Sequence, residues 1–264
     1  MELQNIEKIK EIIREAEMIL IGVGEEMQPA LPECLNEEMA CIRPFAESRY
    51  YASLPEDAPI IASYKKLKKL IGVKPYFVVT LNTDDLVYRG GFWKDLVVAP
   101  CGSMSKMQCM EHIVETSPVC DRVLESVRRE NVQGNMTSES ADRIVSDIAR
   151  CPECGQPLHF HIKSEEGYLE KGYLEQWKSY NNWLTCTLGH KLCILELGVG
   201  FQYPQVIRWP FEKMAYYNQK ATLIRVHSRL PQTAAELGDR AVSVPCMPCD
   251  FINGICLGDT ASLE

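Results

Sequence analysis

The chain has 264 residues, 46% of them hydrophobic, and a formal net charge of -8. That length can bury a sizeable core as one large domain or as a domain with an insert. The acidic balance, with no concentrated Lys/Arg cluster, argues against a nucleic-acid surface. No run approaches the roughly 18 apolar residues of a membrane helix. The opening MELQNIEKIKEIIREAE lacks the apolar block of a signal peptide. A cytoplasmic protein with neither a membrane nor a nucleic-acid partner is expected.

Residues 6–16 carry apolar side chains at helical spacing and lead into an apolar strand at 18–21, which stops at Gly22-Val23-Gly24. Phe45 and Tyr50-Tyr51 fall in a helical stretch, and Lys65-Lys66-Leu67-Lys68-Lys69 reads as a solvated helix face. Further short apolar runs follow at 76–79, 96–98, 192–195, 221–226 and 241–244. Apolar strands separated by helical segments predict an α/β fold, a Rossmann-like parallel sheet with helices on both faces. Ligands of such sheets bind beyond the carboxyl ends of the strands, where Gly22, Asn82, Cys101 and Gly198 fall. Between about 108 and 184 the strand pattern lapses into polar helical stretches. The expected organisation is a first part of the core at 1–107, a smaller zinc-binding insert at 108–185 and a second part of the core at 186–264.

Twelve cysteines suggest metal ligation or buried small hydrophobes more than disulfides in a reducing compartment. Cys151-Pro152-Glu153-Cys154-Gly155 is a knuckle in which two thiolates can converge on one zinc ion while the glycine permits a tight turn. Alone it is half a site. Cys246-Met247-Pro248-Cys249 has no other close cysteine pair nearby and reads as packing.

The order Thr80-Leu81-Asn82-Thr83-Asp84, then a strand ending at Cys101-Gly102-Ser103, then a cysteine that opens a metal site, resembles the NAD-consuming core of the sirtuins. There T-x-N-x-D and H-G-S end successive strands and a zinc module follows. The runs Leu195-Glu-Leu-Gly-Val-Gly-Phe-Gln-Tyr-Pro, Arg208-Trp-Pro-Phe and Ala221-Thr-Leu-Ile-Arg-Val look like the bacterial macrodomain-linked sirtuins. The resemblance implies NAD and zinc as cofactors, and ADP-ribosyl transfer to a protein as the reaction. It places Asn82 and Asp84 at the nicotinamide pocket and Cys101 at the catalytic histidine's position. Gly22, Val23, Gly24, Gly198, Val199, Gly200 and His227 are placed along the rest of the cofactor. It makes Cys109 the first zinc ligand beside Cys151 and Cys154, with either Cys120 or His112 completing a tetrahedral set.

Three departures from that pattern bear on chemistry. Glu25-Glu26 follows Gly22-Val23-Gly24 where the family's backbone N–H groups cradle the pyrophosphate, so two carboxylates enter an anion site. No G-I-P-D-F-R or equivalent lid occurs between Gly24 and Tyr76; Tyr50-Tyr51 and Phe45 could form a reduced lid, though aromatic residues in a helical stretch are more often core. Cys101 replaces an imidazole base with a thiol that ordinarily titrates near 8.5, and Leu81 replaces a glutamine. Deacylation is therefore disfavoured relative to transfer. A catalytically inactive nucleotide sensor or scaffold is the alternative reading.

Overall fold

The computed structural model of the protein describes residues 3–131, 136–163 and 167–256. Six parallel strands form the main sheet: β1 (Met18–Val23), β2 (Tyr76–Thr80), β3 (Val97–Val98), β7 (Leu192–Leu197), β8 (Ala221–Val226) and β9 (Ala241–Val244). A second, three-stranded antiparallel sheet holds β4 (Gly102–Gln108), β5 (Ile113–Glu115) and β6 (His159–Ile162). The helices are α1 (Leu3–Glu15), α2 (Glu33–Asn36), α3 (Arg43–Ser53), α4 (Pro59–Ile71), α5 (Leu86–Arg89), α6 (Ser117–Asn131), α7 (Ser138–Ile148), α8 (Leu174–Cys186), α9 (Arg208–Tyr217) and α10 (Pro248–Cys256).

All six residues of β1 are buried because the strand lies at the centre of the sheet and is covered on both faces. Period-two alternation sorts them: Ile19, Ile21 and Val23 face a core that includes Ile9 of α1, Leu67 of α4 and Phe251 of α10, while Met18 and Leu20 face Tyr180 of α8 and Phe211 of α9. A continuous apolar run, rather than an alternating one, is what such a two-sided strand requires.

The strand order is β3-β2-β1-β7-β8-β9. Direction of build reverses at β1, whose neighbours are β2 and β7, so a crevice opens at the carboxyl ends of these three strands. That end carries, in spatial order, Cys101, Asn82, Gly24, Gly198 and His227.

The second sheet begins at Gly102, immediately after Cys101, rather than at 108. Its first strand, GSMSKMQ, has only two apolar residues, so no strand pattern shows in the sequence. Helix α8, inside the expected insert, packs back on the main sheet, with Tyr180 at 5.3 Å from the ring of Phe77. Phe45 and Tyr51 are not a lid. Both are buried in the core, Phe45 edge-on to Phe160 at 5.0 Å, because their face of α3 is turned toward the second sheet. The lysine run lies on α4, where Lys65 pairs with Glu56, Lys66 donates to Asn253 and Lys68 covers the ring of Tyr76. Among the described residues, no helix is long and apolar enough to cross a membrane.

Candidate functional site

The crevice is built from four strand ends, those of β2, β1, β7 and β8, held in contact. The amide of Gly24 donates to Leu197 O, that of Gly198 to Val226 O and that of Leu81 to Val23 O. A Cβ on Gly24 would overlap the Gly198 carbonyl and the Val199 Cα, so the β1 and β7 turns meet backbone to backbone. Gly198 has φ +62, a conformation that L side chains rarely adopt. Beneath this contact lies a buried charge network that the sequence reading did not single out. Arg225 donates to Glu196 through Nε and Nη2, at 2.7 and 3.0 Å, and to Glu212 through Nη1 at 2.6 Å. Arg208 donates to Val199 O and Leu230 O, each at 2.7 Å. These bonds fix the loops after β7 and β8. The signal was present in the Arg208-Trp-Pro-Phe and Leu-Ile-Arg-Val runs, but an arginine inside an apolar strand shows its partner only once the fold brings it there.

The two carboxylates after Gly24 fold back onto the loops after β7 and β8, Glu26 mostly buried and Glu25 half-exposed. Glu25 Oε2 accepts the amide of Gly200 at 3.0 Å, and Glu26 accepts the amide of Ser228 at 3.0 Å together with the Ser228 hydroxyl. The N–H groups at the ends of β7 and β8 are thus capped from within the chain. His227, 2% exposed, sits beside them. Its Nδ1 accepts from the amides of Arg229 and Leu230 at 3.1 and 3.2 Å, so the ring proton is on Nε2. The approach of Glu26 to Nδ1 at 3.2 Å is therefore not an ion pair. Burial pulls the imidazole's pKa down despite the nearby Glu26 and Glu25, and the neutral ring leaves Nε2–H without an acceptor.

On the other side of β1, Asn82 and Asp84 are buried. Asp84 Oδ1 accepts the Leu86 amide at 2.9 Å, while Asp84 Oδ2 and Asn82 Nδ2 have no partner. Burial pushes the Asp84 carboxyl up to about 7, with the Leu86 amide opposing and Asp85 adding. Asp84 also lines a cavity of about 500 Å³ together with Arg49, Tyr51, Arg89 and Thr116. Cys101 is buried, and desolvation raises its thiol to about 11 against the pull of Lys163, so it is neutral at pH 7.

Cys109, His112, Cys151 and Cys154 form a group able to hold a metal ion, their donor atoms all lying within 4.8 Å of one another. Cys109 Sγ is 3.6 Å from Cys154 Sγ and 3.5 Å from His112 Nδ1, and Cys151 Sγ is 3.8 Å from His112 Nδ1. A tetrahedron with zinc–sulfur bonds of about 2.3 Å has edges of about 3.8 Å, so these separations fit zinc. His112 Nε2 lies 3.2 Å from Glu153, which orients the ring and leaves Nδ1 free to ligate. The knuckle closes through the Gly155 amide onto Cys151 O at 2.8 Å, with Gly155 at φ +73. Cys120, the alternative fourth ligand, is elsewhere: its thiol donates to Phe45 O inside the core, because α6 turns it toward α3. Cys246 and Cys249 pack against the core, and among the described residues they join no group of three or more metal-ligating side chains.

No protein-family model matches the sequence. Solved structures do. A Sir2 protein bound to a propionylated peptide superposes with a TM-score of 0.58 at 15% identity over 97% of this chain and 99% of that one. Another Sir2 protein, bound to a myristoylated histone peptide, gives 0.52 at 15% identity with both chains fully covered. The chain has the sirtuin fold. Among curated proteins it is 24% identical over 267 residues to a Staphylococcus aureus protein named protein ADP-ribosyltransferase, covering 89% of this chain and 82% of that protein. It is 30% identical over 161 residues to a Fusarium oxysporum protein named probable bifunctional ADP-ribose hydrolase/ADP-ribosyltransferase. That match spans 57% of this chain and a quarter of the relative, 25%.

Proposed function

We propose that the protein is an NAD-dependent ADP-ribosyltransferase that uses the sirtuin fold to modify a protein acceptor. The observation that carries this reading is a set of three buried polar atoms without partners, Asn82 Nδ2, Asp84 Oδ2 and His227 Nε2, on the carboxyl-end rim of the sheet. An unpaired buried polar group is costly, on the order of 1–3 kcal/mol, and persists where a ligand completes it. Asn82 and Asp84 suit the amide and hydroxyls of a nicotinamide ribose, and His227 suits an acceptor atom toward the adenosine end. The transferase-named relatives support the same reaction.

NAD is then a substrate, and the reaction breaks its bond between C1′ and nicotinamide. Asp84, poised near neutrality, can accept or donate at a ribose hydroxyl, and Asn82 orients the departing amide. Cys101 holds its proton at pH 7 and has no base function in this scheme. A second reading, a nucleotide sensor without turnover, is favoured by one feature: Glu25 and Glu26 occupy the N–H groups that a pyrophosphate would use.

The test is nicotinamide release from labelled NAD, alongside calorimetric titration with NAD and with ADP-ribose. Transfer predicts release that falls at least a hundredfold in Asn82→Ala. Tight binding of both ligands with no release would establish the sensor, and binding of neither would leave only a scaffold.

A further inference from the structure

Asp85 is the only described non-glycine residue with positive φ, at 60°, and it follows Asp84 directly. Left-handed backbone is unfavourable for an L side chain and persists where the surrounding structure demands it. Asp85 stands at the N-cap of α5, where an aspartate ordinarily accepts from the first N–H groups of its own helix. It makes no such bond. Asp84 Oδ1 takes the Leu86 amide instead, at 2.9 Å, and the Asp85 carboxylate turns away to β4.

On β4 a single oxygen, Asp85 Oδ2, accepts the hydroxyls of Ser103 and Ser105, each at 2.5 Å. Ser103 Oγ in turn accepts the Ser105 amide at 3.0 Å, which fixes the pair of hydroxyls in one orientation. The two serines lie where the register of β4 against β6 shifts, between Ser103 and Met107, so the ladder to β6 does not hold them. A backbone bond runs beside the clamp, from the Met104 amide to Thr83 O at 2.8 Å. The loop of Asn82 and Asp84 is thus tied at two points, through Thr83 and through Asp85, to the strand that starts one residue after Cys101.

We infer that Asp85 is a positioning residue for the reaction: its carboxylate fixes the loop that carries Asn82 and Asp84 onto the strand that begins after Cys101. The inference rests on the transferase reading. Asn82 and Asp84 arrive from the main sheet and β4 belongs to the second, so their junction must be fixed, and a misplacement of about 1 Å can cost about a hundredfold in rate. Glycine would accept this φ without strain but would leave both hydroxyls unheld. The charge of Asp85 also acts on Asp84, upward and in the same direction as burial, so the near-neutral carboxyl depends on both. The other ionisable groups around Asp84 are Arg49 and Tyr51 of α3, Tyr64 of α4, Tyr88 and Arg89 of α5, Lys94, Glu115 of β5, and Cys120 and Asp121 of α6. Arg49 and Arg89 are engaged by Asp121 and Glu56.

The experiment measures nicotinamide release from labelled NAD against pH for the unaltered protein, Asp85→Asn, Asp85→Gly and the double variant Ser103→Ala/Ser105→Ala. Asparagine tolerates left-handed backbone and keeps an acceptor oxygen without the charge. Removing a like charge favours ionised Asp84, so the limb it governs should move to lower pH by about half a unit or more in both Asp85 variants. In the serine variant the charge remains and the limb should stay. The kcat should fall about tenfold or more in Asp85→Gly and in the serine variant, and no more than about threefold in Asp85→Asn, with KM within about twofold throughout. Carbon-13 NMR of the Asp84 carboxyl in the ligand-free protein, assigned by the signal missing from Asp84→Asn, should report the same shift without turnover. An unchanged kcat in Asp85→Gly, a rise in KM alone, or an unmoved limb and Asp84 signal in Asp85→Asn overturns the assignment and leaves the transferase reading standing. NAD binding without nicotinamide release from the unaltered protein defeats the transferase reading, and the positioning role falls with it.

Discussion

Asp84 illustrates how a single side chain can be costly to the fold and useful to the site. Burial raises its pKa from the ordinary value of 3.8 to about 7. The folded protein therefore holds this proton across a range in which the unfolded chain has released it. Stability from this residue is complete below about pH 4, declines as pH rises toward 7, and is reduced by as much as about 4 kcal/mol above that. Asp84→Asn keeps the Leu86 contact through its amide oxygen and removes the charge. Its melting temperature should match that of the unaltered protein near pH 4 and exceed it at pH 8, while nicotinamide release is lost. A gap that does not widen with pH would show that Asp84 is ionised without penalty. The residue type at 84 and its place after a strand were legible in the sequence, whereas its protonation was not, since that depends first on its burial in the folded chain.

At the scale of elements, the strands of the main sheet were legible because they read as apolar runs, those at its centre buried on both faces and the edge strand β9 broken by the exposed Ser243. The second sheet was hidden. β5 is three residues long and half exposed, and β4 is mostly polar, so neither shows a period. The same concealment covered β6: the alternation of HFHI means little until the strand is seen paired with β4. The knuckle was visible from its spacing, and Cys109 came from the sirtuin resemblance. The choice between His112 and Cys120 required the turn that folds β4 back through Cys109, whose amide donates to His112 O at 3.0 Å. Because the ligands join β4, the turn before β5 and the knuckle after α7, zinc should hold that region together. Chelation is expected to raise amide exchange across β4 to β6, α6 and α7 while the parallel sheet stays protected. His112→Ala should lower zinc content and Cys120→Ser should not. Glu153→Gln should weaken affinity by about 10- to 100-fold through the orienting bond it removes. A fully folded, thermally unchanged protein after metal removal would count against any structural zinc.

Across the whole molecule, Glu25 and Glu26 connect parts that the sheet alone leaves separate. Glu25 reaches the loop after β7 and Glu26 the loop after β8, and both leave from the turn after β1. Sequence reasoning treated these residues as two carboxylates entering an anion site. They do not face solvent fully: the Glu26 side chain is 11% exposed and that of Glu25 47%. Their effect is competition for donors as well as charge. A phosphate entering the crevice must displace both carboxylates from the Gly200 and Ser228 amides before it can use them, and hydrogen bonds to charged groups are each worth about 1.5–3 kcal/mol, with the lower end apt for half-exposed Glu25. Removing the pair should therefore move two observables in opposite directions. In Glu25→Ala/Glu26→Gly, the ligand-free protein should melt earlier, because the three strand-end loops lose their cross-links. The same variant should bind NAD and ADP-ribose tenfold or more tightly by calorimetry, with a gain that shrinks as salt screens the charge component. Looser loops with unchanged affinity would mean that the ligand leaves these amides alone, and tighter binding at unchanged stability would mean that the carboxylates act by charge and hold nothing together.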